Sequence, residues 1–358
     1  MTLFNNGDQP VDMMEIARQT TARDVERRKP GTVKVVAPAK VNLVLKVGER
    51  REDGYHPLEN VFQAVMLHDL VYLWPEGPEG TVTCECVASE GLPPVDAAPE
   101  DNLAARAVRA LAKAVFGAAD AAPGIGIRIE KHIPAQAGLG GGSSDAAAAL
   151  VGAARVWTDA GALAPDAITP EMLETVAAPL GADVTFFLRG GAALYDGVGE
   201  HFVRAYAPRK DAVAIIKPDA GLSTGAVYRA FDEGVGREAD SGSTGNNAAG
   251  EGAGNNATGE GASGAELKLD VVAAADLPLI NDLQAPSVAL LPEIGRIIRW
   301  ASAQPATRGV MMSGSGSAVF VICSDFAGAC KLTASAKLQG WWARTTAFGP
   351  VKAAVVPA

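Results

Sequence analysis

The stretch that most constrains this chain is residues 134–150, PAQAGLGGGSSDAAAAL. Its first half, Gly138-Leu139-Gly140-Gly141-Gly142, holds too many glycines for a regular helix or strand, because each gives up much backbone freedom on ordering. Its second half, Ser143-Ser144-Asp145 followed by four alanines, reads as a helix start with a hydroxyl cap and an acid in the first turn. A glycine loop running into a capped helix exposes backbone N–H groups at the positive end of a helix dipole, which makes a phosphate cradle. The plainer alternative is a surface turn ahead of an alanine-rich helix. Other glycine motifs fail here. A Walker loop needs a lysine that the stretch lacks. The dinucleotide fingerprint, counted from Gly138, needs Gly or Ala where Ser143 stands. A nucleophile elbow needs a glycine where Asp145 stands.

At 358 residues and 48% hydrophobic, the chain can bury a sizeable core, and its length suggests two domains. A net charge of −10 argues against a general nucleic-acid binder, although a local basic pocket for a nucleotide remains compatible with it. Cys84, Cys86, Cys323 and Cys330 form two separated pairs without CxxC spacing or histidine partners, which suits free thiols in a reducing compartment. Residues 1–30 are polar and mixed in charge, with a short helix expected over 13–25. They contain no apolar h-region, and no run approaches a membrane span. These features suggest a soluble cytoplasmic protein with a dispensable N-terminal extension.

Residues 32–47 are rich in Val and Leu and read as two strands interrupted at Pro38-Ala39-Lys40. Lys40 stands among Val35, Val36, Val41 and Leu43, so its ammonium must reach solvent, as on an edge strand, or meet a partner charge. Asn42 shares its face by the period of two. Residues 50–57, RREDGYHP, form a polar turn, the kind of loop that carries substrate contacts. Residues 61–74 read as a strand, or a helix followed by a strand, and 81–88 as a strand. Asn102 and its neighbours open a helix over 104–116. Residues 126–133 alternate as a strand feeding the glycine loop, with Lys131 and His132 just ahead of it. Thr169 caps a helix with Pro170 at its first position. Asp183 precedes an almost wholly apolar run, and an unpaired carboxylate entering a core is costly. It is therefore a cap or turn residue, or it is paired with a cation. Lys40 is the most attractive cation, having the converse problem. Residues 213–217 read as a strand, and Ser223 or Thr224 caps a helix that carries Tyr228. Residues 234–264 lack aromatics and repeat GNNAAGEGA as GNNATGEGA, a disordered insertion by composition. In 309–323, GVMMSGSGSAVFVIC, two strands flank a tight Ser-Gly turn. A helix over 326–340 and a strand over 345–356 close the chain.

Three segments in order, PAKVNL (38–43), the glycine loop and MSGSGSAVF (312–320), resemble the signature of the GHMP small-molecule kinases. DGYH (53–56), EDNL (100–103) and GADVTFF (181–187) extend the resemblance, which is strongest to the branch acting on a CDP-linked methylerythritol. It implies an α/β (α+β) two-domain GHMP kinase fold. After an extension over 1–30, a ribosomal-protein-S5-like ATP-binding domain would span 31–208. A ferredoxin-like α/β domain would span 209–358 and carry the insertion, with the active site in the cleft between the two. It implies ATP- and Mg²⁺-dependent phosphorylation of the 2-hydroxyl of 4-CDP-2-C-methyl-D-erythritol in non-mevalonate isoprenoid synthesis. The enzyme would be a cytoplasmic monomer or weak homodimer without nucleic-acid or membrane partners.

By motif position, the resemblance makes Asp183 the base and Lys40 its partner. Pro134, Gly138, Leu139, Gly140, Gly141, Gly142, Ser143 and Ser144 would hold phosphate, with Asn102 and Lys131 near the nucleotide. Asn42 and Thr224 would meet substrate. Tyr55 and Tyr228 would sandwich cytosine, and His56 would hydrogen-bond its edge. It assigns no metal ligand. Gly225 and Tyr228 depart from an expected proline and phenylalanine, and Asp145 from an asparagine, which puts a charge near the phosphates unless Mg²⁺ or a lysine faces it. The alternatives are a kinase for homoserine or mevalonate, disfavoured by DGYH and Tyr228, and a silent sensor of the same fold, disfavoured by the presence of both Lys40 and Asp183.

Overall fold

The computed structural model describes residues 2–4, 10–12, 29–94, 98, 101–235 and 273–357. The expected helix over 13–25 and all but the first two residues of the expected insertion lie outside these. Thr2–Phe4 (β1) and Pro10–Asp12 (β2) pair with each other. The rest is built on two long strands, Val33–Val47 (β3) and Leu58–Pro75 (β4). They are followed by Val82–Ala88 (β5), Leu103–Phe116 (α1), Ile125–Lys131 (β6), Gly141–Asp159 (α2), Pro170–Ala177 (α3), Val184–Arg189 (α4), Ala192–Asp196 (β7) and His201–Tyr206 (β8). Then come Ala212–Lys217 (β9), Thr224–Asp232 (α5), Ile280–Asn281 (β10), Gln284–Leu290 (α6), Pro292–Ser302 (α7), Thr307–Met312 (β11), Val319–Cys323 (β12), Phe326–Leu338 (α8), Trp342–Ala347 (β13) and Ala354–Val356 (β14).

An eight-stranded sheet runs β10-β3-β4-β6-β5, with β14 also on β3 and with β7 and β8 extending from β4. A four-stranded antiparallel sheet runs β11-β12-β9-β13. The strands expected over 32–47 are one strand, and 61–74 lies within a single strand. The strand expected over 345–356 is two, β13 and β14, in different sheets.

The sheets share a core. Val213 and Ile215 of β9 and Phe320 and Ile322 of β12 pack against Val41, Leu43 and Val61 of the large sheet. The alternate residues Ala214, Ile216, Val319 and Val321 pack against α7 and α8. Strands covered on both faces are apolar throughout rather than alternating.

The pairing of β3 with β4 slips between Pro38 and Ala39, where β4 carries Met66 and Leu67 as extra residues. Such irregularities re-aim side chains and often lie beside functional sites. Val33, Val35 and Ala37 belong to the helix-side core, whereas Ala39, Val41 and Leu43 belong to the core between the sheets. Lys40 and Asn42 are therefore turned to the helix side, opposite Ala64 and Phe62. Lys40 is not on an open edge: on the side away from β4, β14 pairs with residues 34–36 and β10 with 44–45, and between them Lys40 N donates to Leu139 O.

α2 lies against β3 and β4 with Ala146, Ala147, Ala148 and Ala149 all fully buried. Small residues let it approach closely: a Cβ on Gly152 would lie 2.2 Å from Leu73 Cδ1. The helix begins at Gly141, earlier than its serines suggest. Gly140, at φ 72°, is the N-cap, and no side chain caps the helix. The expected hydroxyl cap and first-turn acid are thus corrected: Ser143, Ser144 and Asp145 are inside the helix, because a left-handed glycine ends the loop first. Thr169 does cap α3, accepting from Met172 N, and Pro170 is its first residue. All four cysteines are free.

Trp157 on α2 is 1% exposed, meets Phe116 of α1 edge-on at 5.2 Å, and donates from Nε1 to Pro123 O at 3.0 Å. Trp157→Ala should lower stability by about 3–5 kcal/mol, read from the urea unfolding midpoint. A loss under ~1 kcal/mol would mean that this helix pair is not part of the cooperative core.

Candidate active site

The Lys40 side chain is 5% exposed and its Nζ lies 3.5 Å from Asp183 Oδ2, whose side chain is 28% exposed. The ammonium donates to Asn42 Oδ1 at 2.8 Å and stands 5.1 Å from the centre of the Phe62 ring. Asn42 in turn donates to Asn60 Oδ1 at 2.7 Å. Burial holds the Lys40 pKa below the usual lysine range, and the neighbouring Asp183 charge opposes that shift. Asp183 occupies the N-cap position of α4, yet its side chain makes no capping bond, so its carboxylate is directed to Lys40. Of the two readings open from sequence, cap or cation partner, the structure supports the second. The carboxylate is the half of the pair that solvent reaches.

The glycine loop closes over this pair. Lys40 N donates to Leu139 O at 3.0 Å, while the Leu139 side chain is buried between the sheets. A Cβ on Gly140 would lie 2.7 Å from Phe187 Cζ and 3.1 Å from Lys40 Cγ. A Cβ on Gly138 would lie 2.0 Å from Ser313 O. Both glycines have φ 72°, so these two positions exclude a side chain on steric and conformational grounds alike. The turn after β11 grips the other side of the loop. Ser313 Oγ donates to Gly138 O at 2.9 Å and lies 3.4 Å from Asn42 Oδ1, and Ala318 N donates to Ala137 O at 3.1 Å. The N–H groups of Gly141, Gly142 and Ser143 then have no acceptor within their own helix, whereas Ser144 N already donates to Gly140 O at 2.9 Å. Pro134 is buried at the loop entrance. The three separate motifs thus meet in one place.

Asp145 does find a lysine. Lys131 Nζ lies 2.5 Å from Asp145 Oδ2 and also contacts Asp69 Oδ2. Burial pushes the Asp145 carboxyl up to about 8, against the pull of Lys131. Burial alone would lower Lys131, but the two carboxylates outweigh it and raise the ammonium above the usual range. Ser144 Oγ and Asp145 Oδ1 are buried without a hydrogen-bond partner among the described residues. Asn102 caps α1, accepting from Ala104 N at 2.9 Å, and donates to Cys86 Sγ at 3.3 Å.

The DGYH turn reaches α5. Tyr228 stacks on His56 at 5.5 Å and 30°. Both His56 ring nitrogens are engaged, Nδ1 at 2.9 Å from Gly48 O and Nε2 at 3.0 Å from Asp232 Oδ1. Tyr55 is 63% exposed. Thr224 Oγ1 lies 3.0 Å from Ser315 Oγ. Sequence reasoning missed Asn60, Asp69, Asp232 and Ser313. Asp69 carried a readable signal, an acid among Leu67, Leu70 and Val71, which is the argument that found Asp183. The others became visible only through contacts between distant segments.

Residues 102–191 match the GHMP kinases N terminal domain and residues 270–334 the GHMP kinases C terminal. The 4-diphosphocytidyl-2-C-methyl-D-erythritol kinase of Desulfitobacterium hafniense is 38% identical over 81% of this chain and 87% of its own length. That of Methylorubrum extorquens is 34% identical over 87% and 97%. A crystal structure of 4-(cytidine 5'-diphospho)-2C-methyl-D-erythritol kinase superposes with a TM-score of 0.63 at 31% identity, covering 88% of this chain and 99% of that one. A homoserine kinase from Cytophaga hutchinsonii, at 16% identity and a TM-score of 0.59, shares the fold. With a paired lysine and aspartate beneath a glycine loop, and relatives that match along most of their length, this chain belongs to the GHMP kinases.

Proposed function

We propose that the chain transfers the γ-phosphoryl group of ATP to the 2-hydroxyl of 4-CDP-2-C-methyl-D-erythritol, giving ADP and the 2-phosphate, in cytoplasmic isoprenoid precursor synthesis. The observation that carries this reading is the Lys40–Asp183 pair, 3.5 Å apart beside the glycine loop. Asp183 accepts the hydroxyl proton. Lys40, paired with Asp183, stabilises the developing alkoxide, and the Asn42–Asn60 bond keeps the Lys40 acceptor in place. The N–H groups of Gly141 to Ser143 take phosphate oxygens, and the missing side chains at Gly138 and Gly140 let the loop seat against Ser313, Phe187 and Lys40. Positioning and electrostatics are what phosphoryl transfer asks of a protein. Mg²⁺ bound to the triphosphate would neutralise its charge. Among the described residues no group of three acidic, histidine or cysteine side chains could hold a metal by itself, which suits an ion bound largely through substrate phosphates and water.

The nucleotide lies on the 31–208 domain and the acceptor alcohol in the cleft toward 209–358, in a protein acting as a monomer or weak homodimer. Tyr55 and Tyr228 flank the cytosine, with His56 beside its edge.

Asp183→Asn should cut kcat for ADP release by ~10²–10⁴, while ADP and the CDP alcohol still raise the melting temperature. A variant within tenfold of the parent would remove Asp183 as the base. The lowered Lys40 pKa sets the alkaline limit: the ammonium is lost as pH rises through it, so kcat/KM should begin to fall below the usual lysine value of about 10.4. A profile flat to pH 10.5 or beyond would contradict a charged Lys40 in the mechanism. Tyr55→Ala should raise KM for the CDP alcohol by ~5–150-fold, the worth of one base stack, and leave KM for ATP unchanged. An unaltered KM for the alcohol would place cytosine elsewhere.

A further inference from the structure

Asp69 is fully buried on β4, beside the register slip, and touches neither Lys40 nor Asp183. Both of its oxygens are used. Oδ1 accepts the backbone N–H groups of His132 and Ile133, and Oδ2 takes the Lys131 ammonium. The N–H bonds fix the chain where it leaves β6 for the glycine loop. The same ammonium grips Asp145 on the second turn of α2. It lies directly under the start of that helix, since a Cβ on Gly141 would be 3.3 Å from Lys131 Nζ. One carboxylate is thereby tied to both ends of the loop, to its entrance through two amides and to its exit through one lysine.

A buried ionic group of this kind is weak evidence for stability, because desolvation offsets most of its attraction. What it supplies is direction. The ammonium can satisfy both acids only if α2 begins at one height above β4. That height sets where the N–H groups of Gly141, Gly142 and Ser143 point. Lys131, whose side chain is 8% exposed, is committed inside this arrangement.

We infer that Asp69 is a positioning residue for nucleotide binding, acting through Lys131 and Asp145 to aim the N-terminus of α2 at the phosphates. The inference rests on the kinase reading above for what binds there, but it is tested by affinity rather than by turnover. Asp69→Asn keeps an acceptor for the two backbone amides and turns an NH₂ toward the ammonium. ADP affinity measured by calorimetry should fall at least tenfold, and where turnover is measured KM for ATP should rise equally, with kcat and KM for the alcohol within threefold.

Asp145→Leu leaves Lys131 and Asp69 paired and electrically balanced, so it tests the same link even if Asp69→Asn does not fold. It should weaken ADP at least tenfold. Asp145→Asn, which restores an oxygen for the ammonium, should bring affinity back to within threefold of the parent. If Asp145→Leu keeps the parent's ADP affinity and loses only melting temperature, the three residues are structural and the inference is overturned. If the leucine and asparagine variants weaken ADP equally, the ammonium link is not what aims the helix, and the inference again fails. A parent protein that binds ADP but never releases it from ATP and the alcohol would refute the kinase reading. In that case a loss of ADP affinity in Asp145→Leu with recovery in Asp145→Asn would still stand for the positioning role.

Discussion

The organisation of this molecule depends on one buried ammonium. A lysine side chain 5% exposed is costly unless its charge is met, and here it is met from three directions. Asp183 supplies the opposite charge, Asn42 an oxygen, and Phe62 the negative face of a ring. These come from different parts of the chain, so the lysine cannot be satisfied until β3, β4 and the start of α4 are in place. The polar centre is therefore also a test of correct assembly. The register slip at Pro38 and Ala39 puts it on the helix side of the sheet. With an uninterrupted register, the alternation of β3 would send Lys40 into the apolar layer between the sheets, where Val41 and Leu43 now lie.

Glycine answers a different constraint, close approach of backbones. The loop after β6 is squeezed between Lys40 and Phe187 on one side and the Ser313 turn on the other. Nothing larger than hydrogen fits at Gly138 or Gly140. Just beyond the loop, the first amides of α2 lack internal acceptors, as at any helix start. The packing of the loop thus fixes where those amides begin. The late strands β10 and β14 bind to β3, so the last third of the chain braces the strand that carries Lys40 as well as gripping the loop. Asn281 on β10 adds to this, donating to Met312 O and Gly314 O at 2.9 Å each.

Much of the site was legible because its residues break local rules. A lysine in an apolar run, an acid opening an apolar run and five loop residues of which four are glycine each pose a problem that the neighbouring sequence cannot solve. Local rules also misled. Ser143 and Ser144 look like caps, but Gly140 turns left-handed before them and starts the helix. Pro38 looks like a strand end, but it sits at a slip in one long strand. Asp69 obeys the logic that singled out Asp183, and its partners Lys131 and Asp145 were each noticed for other reasons.

Residue chemistry and spacing alone determined which side chains needed a partner, where a glycine loop ran into a helix and which family the motifs resembled. Those are properties of short segments, written in burial preference, charge and glycine freedom. Tertiary structure alone decided which partner each received. Lys40 meets Asp183 across 143 positions of sequence, Asp145 shares its lysine with Asp69, and His56 spends its nitrogens on Gly48 and Asp232. The physical reason is that pairing energies act over a few ångströms, and only the folded sheets bring such distant residues within that range.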